Sequence, residues 1–580
     1  MAKHSPNGYF HAKGSLIFFK GAPFFAKFAY NSFTMTKKVL IGVAWPYVNG
    51  DLHIGHLAGY LLPADIYARY NRLVGNEVLM VSGSDCFGTP ITVEADKRHT
   101  TPDKIVEEYH NKDVDLFKNT LGLSYDLYTL TNNEMHIKVT QDFFIKFLET
   151  GLLFIDTQKQ YYSPTENRFL PDRYVIGQCP FCGFKDSRSD QCDNCGKLIV
   201  QGELINPISN LSKESVELKD TQHYFIDWPK LQGTLKSYVD SVSDHWKDWV
   251  AKETYGWLEE GLKPRAITRD LDWGVPIPVD RIPKDKLVDH VETKRIYVWF
   301  DAVIGYLSAS MLWAKNNNSD WKNFWYGENL HHVYFMGKDN LVFHTLFWPG
   351  QLMTYDRRLH LPDIASINMF LNYEGKQFSK SRGWTLPIKD LVEKYGNDAV
   401  RFYLTLIMPE TRDASFAWND FAEKVNGVLV ATLGNFVHRV LSIAKGYTFK
   451  PPLKIDKITS QAIADAYEKS KQFLDKCEFR NYLNEVLALA TFGNNFVDQH
   501  KIWELKKVDP AKFEIAISNL LLIVLALQDL MQPLLPQAAD KLAKDLGFSV
   551  PDDLVWPKHE KELEALSLLY TWNLWASCCV

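Results

Sequence analysis

Residues 39–56 read VLIGVAWPYVNGDLHIGH. Val39 to Ala44 carry no charge, the pattern of a strand buried on both faces. Trp45-Pro46 ends the run, because proline has no N–H to give a sheet. Asn49-Gly50 favours a turn, and a helix is expected from about His53 through Arg72. A second strand, Val78 to Val81, leads into Ser82 to Asp85. Thr101, Pro102 and Asp103 then supply an N-cap, a first-turn proline and a first-turn acid for the next helix. Strand–helix alternation of this kind implies a parallel sheet in an α/β fold.

Farther along, a less regular stretch of about residues 151–265 interrupts the alternation. It resumes with an expected strand at Ile296 to Phe300 and another at Val333 to Met336 ahead of a helix. A sheet split by an insertion is the economical reading. Beyond Phe421, Val425, Leu429, Leu433, Phe436, Val437 and Val440 recur at helical spacing. The 580 residues have room for about three to five domains. The expected parts are 1–34, a leader or appendage; 35–150 and 266–364, the two halves of the sheet domain; 151–265, the insertion; 365–420, a linker region; and 421–580, a helical domain.

Lys plus Arg is 65 against 70 for Asp plus Glu, a net charge of −5. That excludes a generally basic nucleic-acid coat and leaves room for a local basic face. Aromatics make up 14%, including 17 Trp, so aromatic-lined pockets are plausible. The aliphatic run Leu520 to Leu527 is too short to span a bilayer; with Pro533 and Pro536 after it, it reads as the buried part of a soluble helix, and no membrane is expected. Residues 1–34 contain four lysines (Lys3, Lys13, Lys20, Lys27), no arginine and no acid. Met35 is the expected functional start, with an organelle-targeting peptide as the alternative.

Four of the eight cysteines, Cys179, Cys182, Cys192 and Cys195, form C-x2-C-x9-C-x2-C. Each C-x2-C lets two thiolates reach one ion from one tight turn, and Gly183 and Gly196 follow the pairs. Tetrahedral zinc is the natural occupant, and four thiolates leave no open position, so the ion should be structural. Disulfides or redox thiols are the alternatives. Cys86, Cys477, Cys578 and Cys579 lack ligand spacing.

Two signatures point to a nucleotide. His53-Ile-Gly-His56 opens a helix, where backbone N–H groups and the macrodipole face an anion. Gly55 permits close approach, and the imidazoles can donate to phosphate. Residues 375–383, GKQFSKSRG, form a cationic loop between glycines, suited to neutralising charge on a triphosphate. Alone, each is as well read as a surface histidine pair or a solvated basic loop.

Together and in this order, they resemble the class I aminoacyl-tRNA synthetases, more narrowly the methionyl-tRNA synthetases, from about Lys38 to Trp503. The resemblance is carried by residues 44–50 (AWPYVNG), 53–56 (HIGH), 88–90 (GTP), 269–276 (RDLDWGVP), 297–306 (YVWFDAVIGY) and 337–339 (GKD), by the cysteine knuckle and by 379–383 (SKSRG). It implies a Rossmann-type parallel sheet split by the zinc-knuckle insertion and followed by an α-helical anticodon-binding bundle. It implies activation of L-methionine by Mg-ATP to methionyl-adenylate, then transfer to the terminal adenosine of tRNA(Met). His53 and His56 would hold phosphates. Lys380 would stabilise departing pyrophosphate, and Gly55, Gly337, Asp339 and Ser379 would line the nucleotide side. Mg2+ would arrive with ATP. Tyr47, Trp299, Tyr306, His344, Phe347 and Trp348 would enclose the thioether over Ala302 and Val303, with Tyr306 or His344 donating weakly to sulfur. Asp85 would hold the ammonium. These aromatic residues also read as ordinary core, with Tyr297 and Trp299 alternating on a strand. Asn435, Arg439 and Trp503 would meet the anticodon; without the resemblance, Asn435 and Arg439 are a solvated helix face. Three positions depart from the family pattern: Trp45 in place of leucine, Asn340 in place of isoleucine, and Gln377 in place of the first lysine of K-M-S-K-S. A cytoplasmic monomer is expected.

Overall fold

The computed structural model describes residues 36–546 except 172–173, 190–191, 193, 196, 198, 200–201, 379–382 and 446–454. The expected leader, Gly196, Ser379, Lys380 and the terminal Cys578 and Cys579 lie outside the described residues.

Five parallel strands form the central sheet: β1 Lys38–Val43, β2 Glu77–Ser84, β3 Leu127–Leu130, β4 Leu330–Gly337 and β5 Ile364–Asn368, in the order β5-β4-β1-β2-β3. Strand β1 is flanked on both sides, and its Val39, Leu40, Ile41 and Val43 are fully buried, which explains the uncharged run. The order reverses between β1 and β4. Side chains just beyond the carboxyl ends of these strands therefore face a crevice, the usual ligand position in an open α/β sheet. From Ile54 the chain is helical to Leu73, through a π segment at Leu57–Leu61.

Two elements differ from their expected form. Only Lys294–Ile296 is extended; Tyr297 caps a helix at Val298–Asp301 that runs on toward Asn316. Val298 and Phe300 are buried while Trp299 between them is exposed, and a four-residue run is too short for its period to separate helix from strand. The stretch 151–265 is more regular than its sequence suggests. Leu153–Ser163 pairs antiparallel with Glu217–Ile226, from Leu153 opposite Ile226 to Tyr162 opposite Glu217. The partners are far apart in sequence, so no hairpin turn announces them. Between them lies the cysteine knuckle, with strands Val175–Gln178, Ser187–Arg188 and Ile205–Ser209 and its own small core. Tyr174 docks it on helix Thr89–Lys97, its hydroxyl bonding Asp96 at 2.8 Å and Thr92 at 2.9 Å.

The C-terminal helices include Lys457–Asp475, Phe479–His500, Pro510–Met531 and Pro536–Asp545. The Leu520–Leu527 run lies within a 22-residue helix that is long and apolar enough to cross a bilayer, contrary to the expectation from the run alone. It is a core helix, with 83% of its most apolar window buried inside the protein. Trp418–Ala444 passes the same length and hydropathy test and is 33% buried. Arg401 joins the layers: its guanidinium pairs with Asp65 at 2.8 Å and donates to the carbonyls of Pro533 and Leu534, with both charges fully buried.

Candidate active site

At the crevice the two signatures meet. His53 Nδ1 accepts from the N–H of Gly55, and His56 Nδ1 accepts from the N–H of His53, each at 3.1 Å. The N–H of Ile54 goes to Leu386 O, and that of His56 to His53 O. The backbone donors expected to face an anion are therefore engaged within the protein. With Nδ1 accepting, a neutral imidazole carries its proton on Nε2. The side-chain donors of the pair are then the two Nε2–H groups.

The residue that couples the signatures is Phe378, which sequence reading missed. Its ring stacks on His53 at 4.2 Å and 15° and lies parallel to Tyr373. A Cβ on Gly55 would meet the His53 ring at 2.9 Å and Phe378 at 3.2 Å, so glycine there admits this stack. An aromatic amid polar loop residues was the available signal. Gly337 ends β4, and the exposed Asp339 follows at the same crevice edge.

Beside it lies an aromatic chamber. Tyr306 and Trp348 are fully buried, with ring centroids 6.2 Å apart, and Trp45 stands 6.4 Å from Tyr306. Trp45 lies against Gly83 and Gly305, where added Cβ atoms would come within 2.0 and 2.5 Å of its indole. Trp299 is 36% exposed and stacks on Phe343 at 4.3 Å, a partner not expected from sequence. It stands on the helix, correcting the expected alternation with Tyr297 on a strand. Phe347 stacks on Trp228 of the insertion at 4.5 Å, and Val303 is buried while Ala302 is half-buried. Asp85 is 3% exposed; its N–H bonds Pro46 O at 2.9 Å, and the backbones of Tyr47 and Asp85 form a parallel bridge.

Proton positions at the chamber floor follow from geometry. Burial pushes His344 down to about 4, so it is neutral near pH 7. Its Nδ1 lies 2.9 Å from the Asn340 carbonyl, which can only accept, so the single ring proton is there. Nε2 must then accept from the Tyr306 hydroxyl at 2.8 Å. Both protons are therefore engaged within the protein. The contact from Asn340 is made by its backbone carbonyl.

The four cysteine sulfurs lie within 4.8 Å of one another, with Cys179–Cys195 at 3.8 Å and Cys182–Cys192 at 3.6 Å. Tetrahedral zinc with Zn–S of about 2.3 Å requires sulfurs about 3.8 Å apart, so the set fits a structural zinc. In the helical region, Asn435 is exposed and Trp503 is 47% exposed. Arg439 pairs with Asp498 and contacts Asn494, so its guanidinium is partly engaged.

Residues 39–441 match the family described as tRNA synthetases class I (M). This chain belongs to that methionyl class I family. Residues 453–571 match the anticodon binding domain of methionyl tRNA ligase. Asn435 and Arg439 thus fall within the first match and Trp503 within the second. Among similar proteins, the methionine–tRNA ligase of Roseiflexus sp. (strain RS-1) is 43% identical, covering 89% of this chain and 88% of its own. That of Thermococcus kodakarensis is 40% identical, covering 87% and 69%. A solved Mycobacterium tuberculosis methionyl-tRNA synthetase in complex with methionyl-adenylate shares the fold, with a TM-score of 0.72 at 22% identity over 89% of this chain and 95% of that one.

Proposed function

We propose that this methionyl class I synthetase activates L-methionine with ATP to methionyl-adenylate and pyrophosphate, then passes the methionyl group to the 3′-terminal adenosine of tRNA(Met). The observations that carry the reading are the family match over residues 39–441, the paired imidazoles, the packed aromatic residues around Tyr306, and Asp85 buried just beyond β2. The substrate carboxylate is already a nucleophile, so the protein's work is positioning and charge stabilisation at the α-phosphate. His53 and His56 hold phosphate oxygens through Nε2–H. Lys380 meets the leaving pyrophosphate, and Asp339 and Gly337 border the nucleotide. Mg2+ brought with ATP would neutralise phosphate charge. Asp85 holds the α-ammonium, while Trp299, Trp348 and Tyr47 pack the side chain, an arrangement suited to a polarizable sulfur. Trp503 stacks on an anticodon base, and Asn435 and Arg439 border that surface.

The six-part division of the chain, a monomeric state and a cytoplasmic location belong to the same proposal. Amino-acid-dependent ATP–pyrophosphate exchange, run across the amino acids, is the test. Methionine is expected to be the preferred substrate, and no exchange with methionine would overturn the reading.

A further inference from the structure

The π segment directly after the histidine pair displaces the backbone donor of a buried carbonyl. The N–H of Leu62 bonds Leu57 O, five residues back instead of four. Ala58 O thereby loses its α-helical donor, and its π-helical donor would be Pro63, which has no N–H. Ala58 is fully buried, where a carbonyl without a donor is costly.

The donor comes from a distant strand. Asn368, the last residue of β5 and 1% exposed, places its side-chain amide 3.1 Å from Ala58 O. A carbonyl only accepts, so the amide nitrogen faces Ala58 and the amide oxygen faces the other way. There the oxygen accepts from Lys247 Nζ at 2.8 Å, and the same Nζ donates to Ile367 O at 3.0 Å. Lys247 belongs to the insertion and stands at the start of its helix Asp248–Glu260. Its neighbours anchor it: Trp246 and Trp249 give their indole N–H groups to Asp363 O and Glu410 O, each at 3.0 Å. Residues 246–249, WKDW, thus clasp β5 from Asp363, just ahead of it, to Asn368 at its end.

We propose that Asn368 is a positioning residue for the histidine pair: its amide fixes the helix that carries His53 and His56, and Lys247 holds that amide from the insertion. Asn368 acts through the helix and not on the substrate. The insertion thereby supports the phosphate-holding end of the site. This role rests on His53 and His56 holding the phosphates of ATP.

Pyrophosphate exchange with three variants tests it. Asn368→Asp keeps an acceptor for Lys247 and loses the donor to Ala58. Asn368→Ser leaves the carbonyl open without adding charge, and Lys247→Met removes the ammonium from a stem of similar length. The kcat for activation should fall about tenfold in both Asn368 variants and about threefold in Lys247→Met, with a higher KM for ATP in each. Methionine binding without ATP, followed by tryptophan fluorescence, should stay within about twofold of wild type in all three. Urea unfolding identifies the variants that fold, and either Asn368 variant suffices. A folded Asn368 variant with kcat and KM for ATP within about twofold of wild type would overturn the positioning role. Equal weakening of methionine binding and of ATP use would also overturn it, in favour of general packing. Lys247→Met at wild-type rates would remove the insertion from the relay, and it decides alone if neither Asn368 variant folds. If His53→Asn and His56→Asn leave exchange unchanged, the phosphate-holding reading falls and Asn368 with it. If they slow exchange and the Asn368 variants do not, only the role of Asn368 falls.

Discussion

Replacing Tyr306 by phenylalanine removes one oxygen and keeps the ring. The ring contacts to Tyr334 at 4.9 Å and Trp348 at 6.2 Å survive. What is lost is the sole donor assigned to Nε2 of His344, a side chain only 3% exposed. A buried acceptor left without its partner costs about 1–3 kcal/mol. The Asn340 carbonyl continues to hold Nδ1–H, which opposes rotation of the ring to find another donor. Urea unfolding followed by tryptophan fluorescence should therefore show a lower midpoint at unchanged slope, equivalent to about 1–3 kcal/mol. The KM for methionine in pyrophosphate exchange should rise, because the chamber floor is no longer pinned. Nitrogen NMR of labelled histidine in the wild type should report His344 as the neutral Nδ1–H tautomer at pH 7. The same group sets a pH dependence. Its folded value of about 4 lies below the ordinary 6.5, so below pH 6.5 the unfolded chain binds a proton that the folded one refuses. Its contribution is complete above about pH 6.5 and is lost as pH falls toward 4, amounting to about 3 kcal/mol. A Tyr306→Phe enzyme within about 0.3 kcal/mol of wild type, or an Nε2–H tautomer, would refute the proton assignment.

Arg401→Leu should destabilise the protein by about 3–5 kcal/mol, as is usual when one partner of a buried pair is removed; equal urea midpoints would contradict the role of Arg401 as a tie between layers. Burial alone would raise the Asp65 carboxyl, but Arg69 and Arg401 outweigh it and hold it well below the usual range. The stability this confers is present above about pH 4 and is lost as pH falls through the depressed value, so acid denaturation should begin less steeply in the variant. Elemental analysis should find one zinc per chain, and its removal should make residues 151–265 selectively sensitive to protease while the central sheet stays protected. Lys380→Ala should slow methionine activation at least tenfold, about 1.4 kcal/mol. Trp503→Ala should instead weaken tRNA charging far more than activation, and equal loss of both would assign Trp503 to packing.

Much of this was legible without coordinates. Strand β1 could be read because a strand paired on both sides must be apolar throughout, and the knuckle because C-x2-C spacing is a local geometric requirement. The histidine pair was visible; what the sequence did not show is that the N–H groups of His53 and Gly55 at that helix start go to the imidazole Nδ1 atoms. Val298 to Asp301 misled because a single helical turn, with Val298 and Phe300 buried and Trp299 exposed between them, is too short to show a helical period and alternates like a strand.

Residue type and spacing thus determined the parallel sheet, the thiolate set and the family to which the chain belongs, since each depends on neighbours a few positions away or on recurring motifs. Tertiary structure alone decided where the protons sit and which charges share a dry space. Phe378 bridges the two signatures, His344 accepts from the Tyr306 hydroxyl, and Arg401 pairs with Asp65 because packing brings together segments distant in the chain. Hydrogen-bond direction and desolvation depend on that company in space, which no linear spacing specifies.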